Sequence, residues 1–169
     1  MQDKNHKFEL KQPLMIPVGP KLYELVEEYT YYWKDDEGVI NRITVPKGIK
    51  TDGATVPRLV WTFTGIRPDG RIRAAALVHD WIYVTDGNPP DGSHASWTGS
   101  EEEFWEYYYP NRDTKGVSDM YGSKWVDDNR AWSHRQADKL FAKMMMEAGM
   151  DKLRVTLAYW GVRLGGWWV

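Results

Sequence analysis

The spacing of hydrophobic and polar residues changes along the chain, from a strand-like pattern near its start to a helical one near its end. The segments LYELVEEYTYYW and VINRITV are rich in β-branched and aromatic residues, and KDDEG between them is typical of a turn. They predict an antiparallel hairpin or small sheet within residues 21–45. The segment VPKGIKTDGATVPR, which contains proline and glycine, then predicts a structured loop.

Three main helices are predicted in the rest of the chain. The stretch DGRIRAAALVHDWIYV has no internal proline and predicts a first helix over residues 69–85. A second helix is predicted within residues 129–147, where Gly149 is placed to cap its end. The third begins near Asp151 and forms a helical hairpin with the second. Apolar residues at intervals of three and four predict one apolar face on this last helix. They are Leu153, Leu157, Trp160 and Leu164.

A long connection without clear periodicity spans residues 86–128 and contains GNPPDG and the acidic aromatic run SEEEFWEYYYP. Connections of this length inside a compact domain are usually functional or disordered. The density of aromatic residues argues against disorder. We therefore expect an ordered aromatic insertion that binds a partner or closes over a site. Its expected contact residues are Trp105, Tyr107, Tyr108 and Tyr109.

Together these elements predict a single α+β domain over residues 1–169, with an N-terminal antiparallel hairpin or small sheet before the three main helices. Residues 1–68 would be mainly β-strand and loop, 69–85 the first helix, 86–128 the aromatic insertion, and 129–169 the helical hairpin. An apolar content of 42% is sufficient to build one core.

Composition narrows the classes of function. The net charge of -2, without a basic block, gives no reason to expect a nucleic-acid partner. The absence of cysteine excludes disulfides, thiolate metal sites and cysteine nucleophiles, and it fits a reducing cytosol. The first residues, MQDKNHKFELK, are charged where a signal peptide would be apolar. No transmembrane segment is expected, because no apolar run approaches about 18 residues.

Polar residues interrupt two apolar helix faces. His79 and Tyr83 share one face of the first helix, and Asp80 lies about 100° further round. On the second helix Asp138 falls within an apolar stripe. A buried carboxylate is costly unless it is paired, so Asp138 is predicted to contact His79, Tyr83 or an arginine such as Arg58.

This group of residues has two interpretations. A histidine held by a carboxylate can take a proton from water. Asp80 would then be available to hold calcium or another divalent cation, with Asp52 and backbone carbonyls of KTDGAT as further ligands. The alternative is a structural network that locks the helices together. In that case Gly53 allows a tight turn and Arg58 pairs a carboxylate.

Four blocks, VPKGIKTDGATVPR, AALVHDWIY, ADKLFAKMM and GVRLGG, resemble a phage and prophage family of unknown function. The blocks of that family run T-D-x-A-S-x-P-R, H-D-x-x-Y and A-D-x-x-F in this order. Thr55 stands where the family pattern has serine, which preserves the hydroxyl group. The resemblance implies a phage or prophage accessory protein located in the bacterial host cytoplasm or the virion, and it implies no particular reaction.

The HDWIY motif is also similar to a helix motif of secreted and parvoviral phospholipases A2. That resemblance implies that His79 is the general base and Asp80 the calcium ligand. It further implies that Asp138 orients His79 and that Tyr83 contacts Asp138. The cysteine framework of the secreted enzymes and their glycine-rich calcium loop are missing.

Two functions are therefore expected as alternatives. The first is metal-assisted hydrolysis of an ester or similar bond, centred on the His-Asp motif of the first helix. The second is a non-catalytic role as a virion component, or as a phage factor that binds a host or phage protein through the aromatic insertion. The sequence leaves the oligomeric state open.

Overall fold

The computed structural model describes residues 7–20, 22–51, 70–109, 121–122 and 124–165. Seven strands and four α-helices lie in this part of the chain. The strands are β1 (Met15–Gly19), β2 (Leu22–Leu25), β3 (Tyr29–Lys34), β4 (Ile40–Val45), β5 (Lys50–Thr51), β6 (His94–Trp97) and β7 (Trp125–Asp127). The helices are α1 (Arg73–Val84), α2 (Glu101–Tyr108), α3 (His134–Glu147) and α4 (Lys152–Gly165).

The strands form two antiparallel sheets. The first has the order β1-β2-β5 and the second the order β3-β4-β6-β7. In the β3–β4 hairpin, Tyr29 pairs with Val45 at one end and Lys34 with Ile40 at the other. The carboxylate of Asp35 holds the turn by accepting hydrogen bonds from backbone N–H groups two and four residues later, at 3.0 and 2.8 Å. The turn predicted at KDDEG is confirmed.

The predicted fold, a hairpin or small sheet followed by three main helices, is wrong. The described residues contain two sheets and a fourth helix. The segment 86–128 supplies this helix, α2, together with the strands β6 and β7. β6 pairs with β4, and β7 pairs with β6, so this segment extends the second sheet. Both strands are very short and β6 pairs with a strand far away in the sequence. Local hydrophobic spacing therefore gives little sign of them.

Helix ends follow signals that the sequence contains. Ser100 and Glu103 form a capping box at the start of α2, and Ser133 and Gln136 form another at the start of α3. Gly149 follows α3 with a φ of 82°, and its N–H and that of the next residue donate to carbonyls in the last turn of the helix. The predicted cap at Gly149 is confirmed. No helix in these described ranges is both long and apolar enough to cross a membrane.

Two clusters of buried side chains lie on opposite faces of the second sheet. Alternation along β3 directs Tyr31 into the larger cluster, which joins the sheet to α1, α3 and α4, and directs Tyr32 toward the smaller one. The smaller cluster is called the aromatic core below. Its buried members are Ile40, Ala95, Trp97, Phe104, Trp105, Tyr121 and Trp125.

The apolar face predicted for the last helix points away from both clusters. Leu153, Leu157, Trp160 and Leu164 are exposed. The residues of α4 that are buried against the larger cluster are instead the smaller Val155, Ala158 and Val162. Helix α4 is therefore apolar on two sides, and hydrophobic spacing alone does not tell which side is buried.

Candidate functional site

His79 lies in the middle of α1, directly after the buried run Ala74–Val78. Helical spacing places Tyr83 one turn later on the same face, and the two rings stack with their centroids 4.3 Å apart. The ring of Phe141 from α3 lies 5.1 Å from the imidazole. Only 2% of the surface of His79 is exposed. The imidazole is thus held between aromatic rings in a closed, mostly apolar environment.

Asp138 belongs to the face of α3 that packs against α1. The capping box at Ser133 fixes where α3 begins, and Asp138 follows just over one turn later, between the buried Ala137 and Phe141. The residue is 0% exposed. A carboxylate in such a position is stable only when other groups hydrogen-bond to it.

Three side chains surround the Asp138 carboxylate. His79 Nε2 lies 2.8 Å from Oδ1, and the Tyr83 hydroxyl donates to the same oxygen at 2.9 Å. Arg163 Nη1 from α4 donates to Oδ2 at 3.4 Å. The predicted contacts of Asp138 with His79 and Tyr83 are confirmed. The network joins α1, α3 and α4, so each of these helices contributes at least one polar side chain to it.

The environment sets the charges within this network. Burial alone would raise the pKa of Asp138, but the hydrogen bonds from His79, Tyr83 and Arg163 outweigh it and hold that pKa below its usual value. Burial lowers the pKa of His79, and the bond to Asp138 only partly offsets this effect. Burial and the bond to Asp138 raise the pKa of Tyr83. At neutral pH the network therefore holds an ionised aspartate, a neutral imidazole and a neutral phenol.

These charges decide the tautomer of His79. An ionised carboxylate only accepts hydrogen bonds, so Nε2 carries the proton of the neutral imidazole and its N–H donates a hydrogen bond to Asp138. The lone pair is then on Nδ1. This atom is enclosed by the protein, and no side chain or backbone group in the described ranges hydrogen-bonds to it. A buried acceptor without a partner costs about 1–3 kcal/mol, so Nδ1 is the atom of the network whose hydrogen-bonding capacity is left unused.

The lowered pKa of His79 predicts how stability depends on pH. The unfolded chain binds a proton at about pH 6.5, more readily than the folded chain. The stability contributed by neutral His79 is therefore complete above that pH and is lost as the pH falls toward the lower folded pKa, by at most about 1.4 kcal/mol per pH unit.

Urea unfolding of the wild type and of His79→Gln between pH 7.5 and 5 (roughly the titration window of histidine) measures this contribution. Burial also lowers the pKa of His94, but His94 titrates in both proteins, so the difference between the two curves isolates His79. Parallel curves would contradict the prediction.

A comparison with known protein families identifies the family of this chain. The model of a family described as "Protein of unknown function (DUF1353)" matches residues 23–162. The chain belongs to this family. The match includes His79, Tyr83 and Asp138 and ends just before Arg163. No curated protein and no solved structure matches the chain.

Asp80 of this DUF1353 chain follows His79 on α1 and is joined to the first sheet. Its carboxylate accepts a hydrogen bond from the hydroxyl of Thr51, the last residue of β5. The contact links α1 to the first sheet. Asp52, Gly53 and Arg58, which were predicted as a metal ligand, a turn residue and an anion-pairing residue, lie outside the described residues. Within the described ranges, no group of three acidic or histidine side chains is arranged to hold a metal ion.

Most aromatic residues expected to form a contact surface are packed inside. Trp105 is buried in the aromatic core, and Tyr107 and Tyr108 are partly buried against it. The ring of Phe8 lies 5.0 Å from Trp105, which attaches the N-terminal segment to α2. Tyr109 remains exposed. A role of these residues in binding a partner stays a prediction, and of the four Tyr109 is the one that is exposed.

Two specific contacts near the site were not predicted from the sequence. Arg163 makes an arginine contact with Asp138 of the kind predicted for a residue such as Arg58, and the only signal of Arg163 in the sequence is its place in the GVRLGG block. His134, the first residue of α3, is exposed and stacks on Tyr83, with ring centroids 4.6 Å apart. The Tyr83 ring thus lies between a buried histidine and an exposed one.

A backbone contact closes the segment that separates α1 from α3. Trp132 donates its backbone N–H to the carbonyl of Gly87 at 2.7 Å, just after α1 ends and just before α3 begins. Gly87 has a φ of 71°, and a Cβ at this position would lie 2.1 Å from the Trp132 carbonyl oxygen. Glycine is therefore required here for both conformation and space.

Proposed function

We propose that this chain is a phage or prophage accessory protein that hydrolyses an ester or similar bond, with His79 as the general base. The phage assignment is supported by the sequence blocks that resemble a phage and prophage family. The hydrolytic assignment is supported by one observation above all. Nε2 of the neutral His79 is hydrogen-bonded to the buried Asp138, and the lone pair on Nδ1 has no hydrogen-bond partner among the described residues.

In the proposed reaction a water molecule attacks the acyl carbon while its proton passes to Nδ1 of His79. The imidazolium that forms is stabilised by Asp138 at Nε2. When the tetrahedral intermediate collapses, Nδ1 returns the proton to the departing alkoxide, which leaves as an alcohol. Tyr83 and Arg163 act as positioning residues, because both hold the carboxylate of Asp138 rather than the substrate.

Because His79 is buried, the proposed reaction requires the protein to open around it. Only 2% of the residue is exposed, so a substrate and a water molecule reach Nδ1 only after neighbouring groups move aside. Such opening steps are common in enzymes that exclude water from the reacting atoms. A rate limited by opening would respond to temperature and viscosity more than to the leaving group of the ester.

The direct test is an assay of purified protein on a series of esters. The series should extend from short-chain nitrophenyl esters to phospholipids in vesicles, each with and without added calcium. The proposal expects turnover that depends on His79 and follows the deprotonated imidazole as the pH rises. If folded wild-type protein hydrolyses none of these compounds, the non-catalytic function becomes the better interpretation.

We propose that a divalent cation, with calcium as the first candidate, binds beside the base through Asp80. Calcium prefers six to eight oxygen ligands, and Asp80 and Thr51 provide oxygen atoms of the suitable kind. These two residues do not complete such a site by themselves. The proposed proton transfer to His79 Nδ1 does not involve the cation, so the two proposals can be tested separately.

Calorimetric titration tests the cation directly. We expect calcium to bind metal-stripped wild type at one saturable site, and we expect Asp80→Asn to abolish the binding because the charged ligand is lost. Asp91→Asn is the matched control, since Asp91 is exposed in a loop. Absence of binding to folded wild type would remove the cation from the proposal and leave the role of His79 open to the ester assay.

The burial of His79 and Asp138 also favours a second candidate function. A histidine and an aspartate that are fully enclosed and bridge three helices are also what a structural clamp requires. In that case the chain is a non-catalytic virion component, or a phage factor that binds a host or phage protein. Tyr109 is the described aromatic residue of the expected contact set that such a partner would reach.

A further inference from the structure

Helix α4 is apolar on two opposite sides. Its buried side, formed by Val155, Ala158 and Val162, packs into the larger cluster. The other side is called the outer stripe, and its four members are between 45% and 70% exposed. They are Leu153, Leu157, Trp160 and Leu164. At about 100° per residue the centres of the two sides are roughly 160° apart, so the outer stripe points directly away from the protein.

Cationic residues flank the outer stripe on both edges. Helical geometry places Arg154 on one edge, and Lys152 and Arg163 on the other, each about 90–110° from the centre of the stripe. The sequence of α4, KLRVTLAYWGVRLG, contains no acidic residue. Arg154 also pairs with Asp151 at 3.2 Å, but both side chains are more than half exposed, so the pair is weak and exchangeable.

We propose that α4 binds the surface of an anionic lipid bilayer. The helix would lie in the plane of the interface with the outer stripe among the upper acyl chains and with Lys152 and Arg154 at the headgroup phosphates. Leucines supply buried apolar area, and the indole of Trp160 favours the boundary between acyl chains and water. The opposite side of α4 packs against the larger cluster, so the outer stripe can insert into the bilayer without unfolding of the protein.

Charge complementarity favours a lipid surface over a second copy of the chain. The 4-3-4 spacing of the outer stripe would also suit pairing between two helices. Such a pair would bring together the cations of both copies, while neither α4 contains a carboxylate to neutralise them. Phospholipid headgroups provide the negative charge that the α4 helix of a second copy lacks.

The net charge of the whole chain is -2, so the chain as a whole is not drawn to an anionic membrane, and the attraction must come from a local group of cations such as that of α4. Binding should therefore need both the cationic residues and the apolar outer stripe of α4. Neutral lipid would offer no counter-charge for Lys152 and Arg154, and a polar stripe would offer no area to bury. High salt should weaken the binding without eliminating the apolar part.

Co-flotation of the full chain with lipid vesicles tests the inference. We expect the wild type to float with vesicles of equimolar phosphatidylglycerol and phosphatidylcholine, and to bind pure phosphatidylcholine much less. The double variant Leu157→Ser, Leu164→Ser should bind the anionic vesicles at least about tenfold more weakly, because it lacks two of the leucines that bury apolar area in the bilayer. Lys152→Gln combined with Arg154→Gln should bind them less and lose most of the salt dependence.

Val126→Ser is the matched control, because Val126 is an exposed valine on β7, away from α4. It should bind anionic vesicles like the wild type. Equal binding by the stripe variant and the wild type would overturn the inference, as would a wild type that binds no vesicles. A dimer in light scattering that the stripe variant dissociates, without vesicle binding, would assign the stripe to a second copy instead. None of these measurements depends on hydrolysis at His79.

Discussion

Replacing His79 with glutamine should lower ester hydrolysis by about 10²- to 10⁴-fold, the usual contribution of a general base. The side-chain amide of glutamine can still donate a hydrogen bond to Asp138, which now receives one from Nε2 at 2.8 Å. It offers no basic nitrogen to a water molecule. The loss should appear in kcat with little change in KM, because His79 acts on the reacting water and not on substrate binding.

His134→Gln is the matched control for this experiment. It makes the same chemical change at an exposed residue of the same site region, which stacks on Tyr83 but does not contact Asp138 in the described network. Its activity should stay within about threefold of the wild type, since no proton transfer is assigned to it. A His79→Gln protein that is folded and as active as His134→Gln would end the general-base proposal.

Replacing Asp138 with alanine should destabilise the protein by roughly 3–5 kcal/mol, a large part of the stability of a chain this size. The change removes the acceptor for His79 Nε2 and the Tyr83 hydroxyl, and both donors are then left without a partner in the interior. It also leaves a cavity between α1 and α3. Urea unfolding monitored by circular dichroism gives the difference in free energy.

Asp138→Asn separates the loss of charge from the loss of the acceptor. Its amide oxygen still accepts one hydrogen bond, so it should destabilise clearly less than alanine. Asp91→Ala, at an exposed aspartate, should change stability by no more than about 0.5 kcal/mol. If Asp138→Ala cost no more than Asp91→Ala, the network would contribute nothing to stability. A large loss for Asp138→Ala combined with no effect of His79→Gln on activity would identify a structural clamp.

The polar centre of the site was predictable because its parts lie on regular helices. The i, i+4 spacing of His79 and Tyr83, and the place of Asp138 in an apolar stripe, fix which face each side chain occupies. The cost of a buried unpaired carboxylate then requires that these faces meet. Both steps use only local spacing and a strong energetic rule, and the contacts of Asp138 agree with them.

The rest of the fold depended on interactions that local spacing does not encode. β6 is stable because it pairs with β4, about fifty residues earlier in the chain. The sequence of α2 is compatible with its aromatic residues forming either a binding surface or a core. In the structure one face of the second sheet covers them, and they form a core. Arg163 reaches Asp138 through the packing of α4 on α3, which is set by small residues with a weak hydrophobic signal.

The hydrogen bond between Trp132 and Gly87 has a consequence for how this family can vary. It ties together the two ends of the segment that carries β6, α2 and β7, so the end of α1 and the start of α3 are held close to each other. Changes in length or composition at its outer turns would not alter the separation of α1 and α3. We therefore expect substitutions at the outer turns of this segment to leave the geometry of the His79–Asp138 pair unchanged.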